Sequence, residues 1–93
     1  MDYSQQQIEQ IEEYAGYLTK VSDMAALMGI DEDILRKDIA DKHSPVSIAY
    51  RKAKAQISLS LRKQEIELAT VGSPLAVQLT SNYLLEMDDD EDS

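Results

Sequence analysis

The chain has no cysteine, no tryptophan and no phenylalanine, and a single histidine. Without cysteine, disulfides and thiolate metal sites are excluded. His43 alone cannot build a multi-histidine metal centre, and it reads as a surface linker residue. With no Phe or Trp, the core must come from Leu, Ile, Met, Ala and Tyr. In 93 residues such a core is thin, which favours association with other copies. No apolar run approaches the roughly 20 residues needed to cross a bilayer. The opening MDYSQQQIEQ lacks the basic and apolar regions of a signal peptide. A soluble, cytoplasmic protein without membrane contact is expected. No Gly-rich phosphate loop, carboxylate pair or nucleophile–base arrangement emerges, so the chain reads as a non-enzyme with no catalytic residue, metal or cofactor.

Glycine and proline are also scarce, with three and two copies, and where they fall sets the organisation. Residues 44–71 hold no Gly or Pro after Pro45. Ser44 is placed as an N-cap and Pro45 as the first helical residue, where a missing N–H costs nothing. Ala49/Tyr50, Ala53, Ile57, Leu61, Gln64, Leu68 and Val71 recur at three- and four-residue steps, a helical stripe. At 1.5 Å per residue such a helix is about 40 Å long, more than a domain of this size needs. Part of it is therefore expected to pack against another subunit. Gly72 offers a left-handed exit, and Ser73-Pro74 opens a last helix to about residue 87, folded back as an antiparallel hairpin.

Three shorter helices precede this pair. Residues 5–18 carry Ile8, Ile11, Ala15 and Leu18 on one face, capped by Asp2 or Ser4, with Gly16 helping to end the pattern. Residues 22–28 turn Met24, Ala25 and Met28 inward, with Leu27 as a further candidate. Gly29 is a left-handed C-cap and Asp31 caps the next helix, residues 32–41, which buries Ile39 and either Ile34 or Leu35. Two short helices joined by Gly, an apolar residue and a cap form a helix-turn-helix pattern. The expected fold is therefore all-α. Residues 1–43 form a helix-turn-helix unit, residues 44–87 a helical hairpin for oligomerisation, and residues 88–93 an acidic tail that is expected to be disordered.

The net charge of −9 conceals three blocks: −7 over residues 1–33, +6 over 34–63 and −8 over 64–93. Arg36, Lys37, Lys42, Arg51, Lys52 and Lys54 lie in the middle block and are the candidate contacts for DNA phosphates. The same block can instead attract the acidic tail or a neighbouring subunit. A third helix that reads DNA places its first residues near base edges. Here those are Asp31, Glu32 and Asp33, which suit the helix dipole but repel phosphate. DNA binding by this unit alone is expected to be weak and to depend on avidity.

These residues carry a resemblance. Ala49-Tyr50-Arg51-Lys52-Ala53-Lys54, then Leu61-Arg62-Lys63-Gln64-Glu65-Ile66-Glu67-Leu68-Ala69, then Gly72-Ser73-Pro74 resemble the short motifs of homeodomain-like phage small terminase subunits. The likeness covers roughly residues 8 to 85. It implies a non-enzymatic DNA-packaging factor of a phage or prophage, with Arg36 and Lys37 facing DNA. It further implies that Ile57, Leu61, Leu68 and Leu79 lie in hairpin and ring contacts. Asp88, Asp89, Asp90, Glu91 and Asp92 would present the end that docks on a large terminase. Two other functions fit the same helices: a protein-binding adaptor that does not bind DNA, and a dimeric transcriptional regulator.

Overall fold

The computed structural model describes residues 1–92 and, among them, contains helices and no strand. Five helices follow in order: α1 Gln5–Gly16, α2 Val21–Met28, α3 Glu32–Ala40, α4 Pro45–Thr70 and α5 Pro74–Asp92. The chain divides into two compact units inside α4, the first being Met1–Ile57 and the second beginning at Ser58.

The first unit holds the core. Ile11 and Ala15 of α1, Met24 and Ala25 of α2, Leu35 of α3, and Val46 and Ala53 of α4 form one buried cluster. Half-buried Ile8, Tyr14, Val21, Met28, Ile39 and Tyr50 close around it. Leu35 is completely buried and Ile34 is 43% exposed, which resolves the choice between them. Asp31, the N-cap, accepts from the Ile34 backbone N–H at 3.0 Å. That bond fixes the start of α3, and packing against α1, α2 and α4 takes Leu35 to the inner side.

Capping explains several of the other boundaries, although α2 begins at Val21 without a side-chain cap bond from Lys20. Ser4 accepts from the Gln7 N–H while the Gln7 side chain accepts from the Ser4 N–H, a reciprocal box that starts α1. Ser44 accepts from the Ser47 N–H at 3.0 Å, leaving Pro45 at the first position, which needs no donor. Gly29 at φ 68° and Gly72 at φ 93° are left-handed exits, each closed by the paired bonds of a Schellman turn. For Gly29 these run from Ile30 N to Ala25 O and from Gly29 N to Ala26 O, and for Gly72 from Ser73 N to Leu68 O and from Gly72 N to Ala69 O.

The exit from α1 differs from the sequence expectation. The helix stops at Gly16, and the left-handed residue is Leu18, at φ 57°. Thr19 N bonds Tyr14 O and Leu18 N bonds Ala15 O, the same paired turn built on a leucine. Ala15 must reach the core, so the chain can turn only after it. Leu18 therefore leaves the apolar face assigned to it and is 54% exposed. A Cβ is disfavoured in this conformation by roughly 1–2 kcal/mol. Leu18→Gly is therefore expected to raise stability by about 0.5–1 kcal/mol, with Leu18→Asn giving a smaller gain of the same sign. Thermal melts of the two variants check this, and a loss in both would refute it.

The N-terminal arm is tied to α3. Tyr3 donates its hydroxyl to Asp38 at 2.7 Å, beside an open hollow of about 320 Å³ bordered by Ile8, Ser44 and Val46. Burial pushes the Tyr3 phenol well above its ordinary range; the hydrogen bond to Asp38 and that carboxylate's charge add to the shift. Because the folded state prefers the neutral phenol, its contribution to stability is complete below the ordinary tyrosine value of about 10. It is lost as pH rises through the higher folded value. Alkaline titration of tyrosinate absorbance should reveal one late-ionising group, absent from Tyr3→Phe. An unchanged alkaline limb in that variant would refute the assignment.

The second unit contains the C-terminal half of α4 and α5. Arg62 donates to Glu86 at 2.9 Å and lies over the Tyr83 ring, 4.3 Å from its centroid. Ala76 is its one buried hydrophobic residue among those described. α5 continues past the expected end near residue 87 to Asp92, so residues 88–92 are helical where a disordered tail was expected. No glycine or proline interrupts Met87 to Glu91, and propagating an existing helix costs far less than starting one.

Candidate nucleic-acid interface

The middle cationic block is divided between the units. All six candidate DNA contacts, Arg36, Lys37, Lys42, Arg51, Lys52 and Lys54, belong to the first unit, and Arg62 and Lys63 to the second. All six candidates are exposed.

On α3 the charge is largely answered locally. Arg36 Nε lies 3.1 Å from Glu32 Oε2, one turn earlier. Asp31 is engaged as the cap, and Glu32 and Asp33 are exposed in the first turn. Lys37 sits in the last turn, where a cation suits the negative end of the helix dipole. Lys42 lies in the link that follows, where Asp41 accepts from the His43 N–H.

The N-terminal half of α4 offers a stronger cationic surface. Arg51, Lys52 and Lys54 are exposed within two turns, and Lys54 Nζ lies 5.7 Å from the Tyr50 ring centroid. Nearby, Lys20, Leu18, Tyr50 and Lys54 border a hollow of about 220 Å³. Arg51 is oriented by its own helix, since its Nε donates to Ser47 Oγ at 3.1 Å. Ser47 was not singled out from sequence. The available signal is its spacing: three residues after the Ser44 cap and four before Arg51.

The four residues assigned to subunit contacts differ in exposure. Ile57 and Leu79 are half-buried, whereas Leu61 and Leu68 are 42% and 49% exposed. Ile66, Val71, Leu75 and Leu84 are exposed as well, and Gln64, Glu67, Leu68 and Val71 border a shallow hollow of about 430 Å³. Asp88, Asp89, Asp90 and Glu91 line the exposed end of α5; the Asp92 side chain lies outside the described residues. No described helix is long and apolar enough to cross a membrane, and no group of three potential metal ligands occurs among the described residues.

No family model, curated protein or solved structure matches the chain.

Proposed function

We propose that this protein is a non-enzymatic DNA-binding factor that works as an oligomer, of the kind represented by phage small terminase subunits. In this reading α1–α3 form a helix-turn-helix unit. α4 and α5 form the hairpin through which copies associate, and the acidic end of α5 docks on a large terminase in the host cytoplasm. The observation that carries the proposal is the exposed trio Arg51, Lys52 and Lys54 on a helix whose base is buried in the core of the first unit. Rigidly mounted cations of this type hold phosphate without reading sequence. The acidic start of α3 weakens each site, and repeating a weak site around an oligomer restores affinity without new contacts.

The test is binding of duplex DNA followed by fluorescence anisotropy over a salt series. Wild-type affinity should fall steeply and linearly on logarithmic axes as salt rises. Joint replacement of Arg36, Lys37, Arg51 and Lys52 by alanine should abolish binding at physiological salt. Undiminished binding by that variant would refute the proposal.

A second reading, a helical adaptor that binds protein, is favoured by the Glu32–Arg36 ion pair, which neutralises a cation on the candidate reading helix. Failure of the wild-type protein to bind any duplex at low salt would make it the better reading.

A further inference from the structure

We infer that Ser47 is a positioning residue that presents Arg51 as a clamp for a phosphate group, an inference that rests on the DNA-binding reading above. Ser47 is completely buried and is the one buried polar residue among those described. Serine in a helix commonly returns its hydroxyl to a carbonyl of its own preceding turn. Ser47 instead donates across to Ile39 O, in the last turn of α3, at 2.7 Å. That carbonyl is one of the final four of α3, which have no partner within their helix. Ser44 treats the preceding carbonyl in the same way, donating to Asp38 O at 2.6 Å. With its hydrogen committed to Ile39, the Ser47 oxygen can only accept, and it accepts from Arg51 Nε.

The consequence falls on the rest of the guanidinium. One of its edges is fixed by a buried hydroxyl, itself fixed by the end of α3. The two terminal amino groups of Arg51 have no partner among the described residues, and the side chain is exposed. Two N–H groups on a rigid plane match two oxygens of one phosphate. Because the side chain is already held, less rotamer freedom is lost on binding. The other cations lack this arrangement. Arg36 Nε is also held by a side chain one turn earlier, but that partner is the exposed carboxylate of Glu32, whose charge offsets the guanidinium's, whereas Ser47 is buried and neutral. Lys52 and Lys54 end in single ammonium groups. The ligand class is a phosphate mono- or diester, and the DNA backbone is its source under the proposed function.

The experiment uses the full chain as wild type, Ser47→Ala, Arg51→Lys and the double variant. Affinity for a short duplex is measured by anisotropy, and the Arg51 Nε–Hε resonance is followed by NMR during titration with inorganic phosphate. Circular dichroism melts establish that each variant is folded; Arg51→Lys leaves the buried hydroxyl intact and tests the clamp if Ser47→Ala does not fold. Each single variant should weaken duplex binding by about tenfold, and the double variant should lose no more than either. Full affinity in Arg51→Lys, or in a folded Ser47→Ala, would overturn the inference, as would additive losses. If the wild type binds no duplex, the DNA reading fails separately. The phosphate titration then decides the clamp: a shift of the Arg51 resonance that Ser47→Ala, or Arg51→Lys with its own side-chain signal, does not reproduce supports it, and equal or absent shifts overturn it.

Discussion

Replacing Leu35 by alanine is expected to destabilise the first unit by about 3 kcal/mol, within the range for a fully buried leucine. Leu35 is 0% exposed and shares its cluster with Ile11, Met24 and Val46, one from each of the other helices of the unit. A domain of this size has a total stability of roughly 3–9 kcal/mol, so the loss takes a large share of it. The neighbouring substitution Ile34→Ala, at a side chain 43% exposed, should cost less than about 1 kcal/mol. Urea melts of the two variants give the comparison directly. Equal losses would mean that α3 does not insert Leu35 as described.

That pair also marks how far the sequence could be read. Both residues are branched and apolar, and a nine-residue helix is too short for its periodicity to separate adjacent positions. Packing decides between them, since Leu35 enters the cluster shared with α1, α2 and α4, whereas the Asp31 cap bond spans three residues and sets only where the helix starts. Asp31, Ser44, Gly29 and Gly72 were legible because each residue type has one strong local use, as a side-chain acceptor or as a left-handed backbone. For α1 the sequence left Asp2 and Ser4 open, and Ser4 is the cap. Leu18 was not legible, since nothing in leucine announces a left-handed turn. The Tyr3–Asp38 bond joins residues 35 apart in sequence, beyond any local pattern. The Ser47–Arg51 pair had a readable spacing of four, but the link to Ile39 O that gives it rigidity comes only from the approach of α3 to α4. The stripe along α4 was readable as helical throughout. Its two ends nevertheless have different fates, Ala49 and Ala53 being buried and Leu61 and Leu68 about half exposed.

The second large effect concerns that difference. Replacing Leu61 and Leu68 together by glutamine is expected to reduce the oligomer proposed above to a single chain of 10.5 kDa while leaving helicity and the melting of the single chain nearly unchanged. In the second unit Ala76 is the one buried hydrophobic residue among those described, whereas Leu61, Ile66, Leu68, Val71, Leu75 and Leu84 all remain exposed. A helical pair with so little buried against itself has apolar surface to spare for another copy. Fully burying a leucine contributes about 1.5–3 kcal/mol, so covering the remaining half of each side chain contributes about 1 kcal/mol. Counted for two residues on both sides of a symmetric contact, the effect reaches about 4 kcal/mol, or roughly 10³-fold in Kd. Glutamine keeps the helix propensity and length of the side chain, so the substitution tests burial alone. Light scattering of wild type and variant supplies the comparison. A wild type that is already a single chain, with the variant melting well below it, would place these leucines in contacts within the chain and remove the avidity on which the proposed DNA binding depends.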